Sequence, residues 1–128
     1  MSFFITTPIY YVNDVPHIGH AYTTIACDIF SRFYKLKNED TFFLTGTDEH
    51  GQKVEKAALA QNKDTQIFVD EMSNNFRELV PYLGCDNDDF IRTTDKKHIS
   101  SAQFLWNKLK SNNQIYLSNY EGWYSIRD

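Results

Sequence analysis

Pro16-His17-Ile18-Gly19-His20 is the stretch whose reading decides the fold. It stands between two contrasting patterns. Before it, Phe3-Phe4-Ile5-Thr6-Thr7 is short, aromatic and β-branched, which suits a buried strand. After it, Tyr22, Ile25, Ala26, Ile29, Phe30, Phe33 and Leu36 recur at intervals of three and four. That period predicts an amphipathic helix from Gly19 to about Lys37, with Asn38 as its stop. His17 and His20 then share the first helical turn and point the same way. Gly19 removes a side chain between them, so a flat ligand can lie against the backbone. The free N–H groups and positive dipole end of the helix favour a phosphate. Strand, loop and histidine-bearing helix together read as a site for a nucleoside triphosphate.

Working outward, Thr41-Phe42-Phe43-Leu44-Thr45 predicts a second buried strand, and Gly46-Thr47-Asp48-Glu49-His50-Gly51 a loop after it. Between Pro8 and Pro16, the residues Tyr10, Tyr11, Asn13 and Asp14 read as loop. A helix is expected over Lys53 to Gln61, with Val54, Ala57, Ala58 and Leu59 inward. Asp64 or Thr65 caps the next, whose stripe is Phe68, Val69, Met72, Phe76, Leu79, Val80 and Leu83, with Gly84 as its C-terminal cap. Thr94 is expected to cap a further helix carrying Ile99, Ala102, Leu105, Trp106 and Leu109. Phe68–Met72–Phe76 and Trp106–Leu109 read as core. Ile115-Tyr116-Leu117 and Gly122-Trp123-Tyr124-Ser125-Ile126 read as strands joined through Asn119-Tyr120-Glu121. This order predicts an α/β protein that opens with a βαβ unit and a parallel sheet. Such a unit leaves a sheet of two or three strands with open edges, and the sequence stops in mid-strand at Asp128, so it reads as the front part of a larger protein.

The 128 residues are one domain's worth of chain, 41% apolar and 16% aromatic. No apolar run approaches the length of a membrane span. The start lacks a basic region and a cleavage pattern for secretion, so a cytoplasmic location without membrane attachment is expected. Cys27 and Cys85 read as free thiols of a reducing compartment. A net charge of −4 argues against broad electrostatic binding of nucleic acid. The densest basic spot, Asp95-Lys96-Lys97-His98, reads as a solvated first helical turn.

In open α/β sheets, ligands bind beyond the carboxyl ends of the strands. The loops Pro8 to His20 and Gly46 to Gly51 both fall there, so Asp48 and the two histidines are expected to line one crevice. His17 and His20 admit several readings. As donors they would stabilise charge on a transferring phosphoryl group without moving a proton. As metal ligands with Asp48 or His50 they would make a zinc hydrolase. As a bland pair they would be a helix cap and a surface residue. Asp48-Glu49-His50 reads either as a substrate clamp, whose aspartate suits an ammonium group, or as a solvated loop. Tyr10 and Tyr11 read as core packing or as the wall of an apolar pocket.

Thr6-Thr7-Pro8-Ile9-Tyr10-Tyr11-Val12-Asn13 leading into His17-Ile18-Gly19-His20 resembles the N-terminal signature of class I aminoacyl-tRNA synthetases, and more narrowly of the methionyl-tRNA synthetase family. Phe42 to Gly51, Asp89 to Thr94 and Tyr120 to Tyr124 are similar to further blocks of that family, so the resemblance covers essentially the whole chain. It implies a Rossmann-type (HUP-like) nucleotide-binding fold with an incomplete parallel sheet flanked by helices. Residues 1–114 would be the first half of the catalytic domain, and residues 115–128 the start of an inserted connective domain. It implies ATP-dependent activation of methionine to methionyl-adenylate and transfer to tRNA(Met), with ATP bound as its Mg2+ complex. In the family pattern His17 and His20 stabilise the ATP phosphates, and Gly19 admits the adenine. Asp48 holds the α-amino group of methionine. Pro8, Ile9 and Tyr11 form part of the thioether pocket, whose apolar and aromatic walls suit a polarisable methyl thioether. Asn13 orients the histidine loop. The family's Lys-Met-Ser-Lys-Ser loop does not occur in this sequence, so the 128-residue chain alone is expected to be inactive, with little tRNA contact of its own. Ser125 stands where some relatives carry a zinc-binding cysteine, so no structural zinc is expected in this segment. Another nucleotidylyl transferase of the same architecture is the alternative product class.

Overall fold

The computed structural model describes residues 2–123. Its elements are β1 (Ser2–Thr6), β2 (Tyr10–Tyr11), α1 (Ile18–Leu36), β3 (Asp40–Asp48), α2 (Gln52–Ala60), α3 (Thr65–Tyr82), β4 (Asp89–Arg92) and α4 (Lys96–Ser111). Every pairing in the sheet is parallel, and every one involves β3. Leu44 pairs with both Thr6 and Asp89, and Thr47 with both Tyr10 and Arg92. A strand has only two edges, so β4 holds one edge of β3 while β1 and β2 share the other.

The chain advances four residues from Thr6 to Tyr10 while β3 advances three from Leu44 to Thr47. One extra residue is therefore looped out between β1 and β2, as in a bulge. Pro8 lies in that gap, where its missing N–H would break a ladder anyway. The region between the prolines, expected as loop throughout, thus contains a short strand. β3 likewise runs on through Asp48, further than the expected stop at Thr45.

Side-chain alternation along β3 sorts the two faces of the sheet. Thr41, Phe43, Thr45 and Thr47 share a face with Phe3 and Tyr10, their partners in register. Phe3 stacks on Tyr34 of α1, and Thr47 Oγ1 bonds Ser73 Oγ of α3 at 3.0 Å. Both helices therefore cover this face. The main core lies here, joining Tyr10, Val12, Val54, Ala58, Phe68, Val69, Phe76 and Phe90. The opposite face carries Phe4, Phe42 and Tyr11, which are exposed among the described residues.

All four helices end in a Schellman motif. After α3, Gly84 takes φ +69°, its N–H reaching Pro81 O and that of Cys85 reaching Val80 O. Asn38, Asn62 and Asn113 play the same left-handed part after α1, α2 and α4. The stops at Asn38 and Gly84 were legible in the sequence. The cap of α4 was not: Thr94 Oγ1 is engaged with Glu49, and Asp95 holds the N-cap position instead.

Three expectations about burial are corrected. The apolar stripe of α1 faces outward, with Tyr22, Ile29, Phe30, Phe33 and Leu36 exposed. Its inward side is Thr24, Cys27, Asp28 and Ser31, small or hydrogen-bonded residues that let the helix lie close to the sheet. Trp106 and Leu109 are not core, because α4 buries no residue among those described. Leu59 is exposed, whereas Val54 and Ala58 are buried as expected. No strand forms over Ile115 to Leu117, which has no neighbouring strand to pair with among the described residues. The expected second strand lies partly outside the described residues, and Ser125 wholly so. Cys27 and Cys85 are both free thiols. The Lys96–His98 turn opens α4, with Lys97 paired to Asp89 across an exposed gap.

Gly46 pairs with Ile91 across the β3–β4 ladder. A Cβ built on it would stand 2.0 Å from the Ile91 carbonyl oxygen, which is backbone and cannot step aside. Gly46→Ala is expected to lower unfolding stability by about 3 kcal/mol, in the upper part of the range for overpacking. An unchanged urea midpoint in the variant would contradict this account of the β3–β4 contact.

Candidate active site

The sheet ends at a cleft of about 580 Å3. Its wall includes Pro8, Ile9, Tyr11, His17, Gly19 and His20, six of the residues singled out in the sequence. Asn13, Asp14 and Val15 complete the side formed by the loop. Asp48 is not part of this wall. It ends β3 one strand over, in register with Tyr11, and adjacent strands run about 4.8 Å apart. The cleft is thus built from the β1–α1 connection, with Asp48 at the end of the neighbouring strand.

The histidines cap α1 reciprocally. His17 is the N-cap, in extended conformation, and its Nδ1 accepts the Gly19 N–H at 3.1 Å. His20 is the third helical residue, and its Nδ1 accepts the His17 N–H at 3.0 Å. This is a capping box with two imidazoles in place of the usual hydroxyl and carboxylate. It satisfies two of the backbone donors that a helix start leaves orphaned. The rings stack with centroids 3.8 Å apart. Gly19 makes room for this: a Cβ there would meet the His17 ring at 3.0 Å.

The bonding pattern fixes the tautomer. A neutral imidazole that accepts at Nδ1 carries its proton on Nε2. Both rings therefore present an Nε2–H donor away from the helix. Neither Nε2 has a protein partner among the described residues. The first turn of α1 contains no acidic residue, so its positive end is not neutralised from within. Two fixed donors and a helix N-terminus on one wall form a seat for a polyanion.

Tyr10 ties this seat to the core. Its ring stacks on Phe76 and meets the His20 ring edge-on at 4.7 Å. Phe76 also meets His20 edge-on, at 5.0 Å. The Tyr10 hydroxyl lies 3.1 Å from Thr24 Oγ1 and 3.3 Å from the His20 carbonyl oxygen. Burial pushes the phenol's pKa up, so it stays protonated. The sequence left Tyr10 between core and pocket wall; it is both, and Phe76, read only as core, is the second brace of His20.

Glu49 is the other surprise of the region. The Asp48-Glu49-His50 triplet was open between clamp and solvated loop, but Glu49 is 4% exposed. Arg92 meets it with two bonds, Nε to Oε1 at 2.7 Å and Nη2 to Oε2 at 2.8 Å. Burial alone would raise its pKa, but the hydrogen bonds from Arg92, Thr94 and Thr47 outweigh that and hold it below the usual carboxylate range. The nearby His50 Nε2 lies 3.3 Å from the Thr93 carbonyl oxygen. Among the described residues no group of three or more His, Cys, Asp or Glu gathers to hold a metal ion, so the set His17, His20, Asp48 and His50 that a zinc hydrolase would need does not assemble.

His20 has its pKa lowered, first by burial against Tyr10 and Phe76 and second by the neighbouring His17. Protonating its Nδ1 would also evict the capping N–H. The folded state then binds fewer protons than the unfolded chain, whose histidine titrates near 6.5. Stability contributed by His20 is therefore present above that value and lost as pH falls through the lower folded value. The wild-type stability advantage over His20→Ala is expected to shrink on going from about pH 7.5 to about pH 5.5. A constant advantage across that range, read from chemical unfolding, would contradict the cap. Nitrogen-15 NMR of the neutral rings should report the proton on Nε2 in both.

The comparisons with known proteins agree with this geometry. The family model described as tRNA synthetases class I (M) matches residues 3–128. A methionine–tRNA ligase of Rickettsia prowazekii (strain Madrid E) is 58% identical over 127 residues, 99% of this chain and 25% of that protein. One from Thermotoga maritima is 52% identical over 126 residues, 98% of this chain and 20% of that protein. A crystal structure of Mycobacterium tuberculosis methionyl-tRNA synthetase bound by methionyl-adenylate superposes with a TM-score of 0.92 at 44% identity, over 99% of this chain and 25% of that one. The chain thus spans about a quarter of the length of the curated relatives it matches. Its parallel, Rossmann-like sheet and paired histidines sit inside a match that runs almost end to end, and the chain belongs to the class I (M) tRNA synthetases.

Proposed function

We propose that this chain is the first part of a methionine–tRNA ligase. Residues 1–114 form the first half of the catalytic domain, and residues 115–128 begin the connective domain. The observation that carries the reading is the pair of outward Nε2–H donors fixed at the start of α1. A methionine carboxylate oxygen attacks the α-phosphorus of ATP, the bond to the β-phosphate oxygen breaks, and pyrophosphate leaves. The terminal ribose hydroxyl of tRNA(Met) then takes the methionyl group and releases AMP.

The roles follow from chemistry at each position. Charge builds on phosphate oxygens as the bond to pyrophosphate breaks. Preorganised donors at that point lower the barrier because they need no reorientation. His17 and His20 supply those donors through Nε2, and no proton need leave either ring. Gly19 leaves the backbone bare beside them for the adenine. Asp48 takes the ammonium group as a charge-assisted hydrogen-bond acceptor. Pro8, Ile9 and Tyr11 line the cleft nearby, as apolar and aromatic walls suited to the thioether. Asn13 lies in the same loop and steadies it. Mg2+ arrives with ATP as part of the substrate and supplies charge neutralisation on the phosphates. The tRNA is held mainly by parts of the longer protein, whose location is the cytoplasm. Among the described residues, no helix is long and apolar enough to cross a membrane.

The test is methionine-dependent ATP–pyrophosphate exchange by the full-length protein. His17→Ala and His20→Ala are each expected to slow exchange by about 10²- to 10³-fold, as for loss of one preorganised donor. Asp48→Asn is expected to act mainly on KM for methionine. The 128-residue chain alone should give no exchange, since it lacks the lysine-rich loop. Exchange in both histidine variants at the wild-type rate would refute the assignment.

A further inference from the structure

The function proposed above makes no use of the most heavily bonded side chain near the site. Glu49 Oε1 accepts from Thr47 Oγ1 at 2.7 Å and from Arg92 Nε at 2.7 Å. Its Oε2 accepts from Arg92 Nη2 at 2.8 Å and from Thr94 Oγ1 at 2.5 Å. The Glu49 N–H donates to Thr93 Oγ1 at 2.8 Å, and the Thr93 N–H to the Thr47 carbonyl at 3.2 Å. Arg92 Nη2 reaches on to Asp70 Oδ1 of α3 at 2.5 Å. One residue at the tip of the central strand is thus bolted to the end of β4, to the segment after it and, through arginine, to α3.

Stability alone is a weak reason for such an arrangement. Desolvating a carboxylate and a guanidinium is expensive, and an apolar pair of similar size often serves a core as well or better. What an apolar pair cannot do is fix a backbone position and rotation by directed bonds. Successive residues of extended chain face opposite sides. Locking the Glu49 side chain onto the helix-covered face therefore sets Asp48 on the opposite face, alongside Tyr11, its partner in register. A planar fork matches a carboxylate in only one plane, so the pair fixes angle as well as distance.

We infer that Arg92 and Glu49 are positioning residues: their ion pair aims the Asp48 carboxylate at the ammonium group of the amino-acid substrate. This rests on the reading of Asp48 given above. Neither residue touches substrate. Loss of the pair lets the strand end rotate and misplaces Asp48, while the ATP seat on α1 is untouched.

The experiment uses the full-length protein and compares KM for methionine with KM for ATP in the exchange assay. Arg92→Lys keeps the charge but not the fork, and Glu49→Gln keeps the shape but not the charge. Each is expected to raise KM for methionine about tenfold, with KM for ATP changed less than about twofold, as for a small misplacement of one binding group. A Glu49→Met/Arg92→Leu double variant fills the space with apolar side chains. It is expected to unfold at or above the wild-type temperature, yet to keep the raised KM for methionine. A folded double variant with wild-type KM for methionine overturns the inference, as do single variants that raise both KM values equally. Asp48→Asn separates the two layers. If it leaves KM for methionine unchanged, the Asp48 reading fails and the inference with it. If it raises that KM while Arg92→Lys and Glu49→Gln do not, only the inference fails.

Discussion

All three other strands of this sheet depend on one. β1, β2 and β4 hydrogen-bond to β3, and no two of them pair with each other. The parallel register that β3 imposes decides where the chain can turn. β2 must finish beside Asp48, and β4 must finish beside Thr47. Every loop with chemical content therefore emerges at one end of the sheet, the carboxyl end, where parallel folds place ligands. The bulge at Pro8 adjusts this further. Without the extra residue, Tyr10 and Tyr11 would exchange faces, and the ring that braces His20 would turn away from it.

The site is stiffened by two devices of different character. Around His20 the device is packing: Tyr10 and Phe76 meet the imidazole edge-on and link it to the core. Around Glu49 it is a set of charge-assisted bonds across three segments of chain. Packing suits a ring that must stay neutral, because burial penalises its charged form. Directed bonds suit a loop end that must hold one rotation. Both devices draw on α3, which supplies Phe76 to the first and Asp70 to the second. The helix that looks least involved in chemistry thus sets the spacing between the two halves of the site.

How much of this was legible in sequence follows from what each pattern encodes. Apolar periodicity located α1, β3 and α3, and Asn38 and Gly84 marked stops because left-handed caps demand such residues. Periodicity says that a helix has an apolar side, not which neighbour covers it. The stripe of α1 accordingly faced outward, while Thr24, Cys27, Asp28 and Ser31 took the sheet side. Short strands with one partner, β2 and β4, carry too few residues for any period to register. Among site residues, His17, Gly19 and His20 were readable because spacing on a helix is local information. Glu49 and Arg92 were not, since 43 residues separate them and nothing local distinguishes a buried carboxylate from a solvated one. An arginine directly after the apolar pair Phe90-Ile91 was the one available hint.

Why histidine should cap this helix is itself a physical question. A serine or aspartate would satisfy the orphan N–H groups equally well. Aspartate would also place a negative charge where a polyanion has to sit, and serine's single hydroxyl rotates freely and reaches no further than the cap. An imidazole has two nitrogens that bond in divergent directions from a rigid ring. One can accept from the backbone while the other donates outward, and accepting at Nδ1 is what guarantees the proton at Nε2. Lysine would bring more charge but no acceptor for the cap, and its long chain would have to be ordered on binding. The reciprocal box between His17 and His20 thus couples a requirement of folding, satisfied helix-start donors, to a requirement of binding, fixed outward donors. Burial, and after it the neighbouring His17, holds the His20 pKa below its ordinary value, which keeps the ring in the neutral form that this coupling needs. A proton on Nδ1 would cost the fold its cap and leave the donor at Nε2 without its fixed aim.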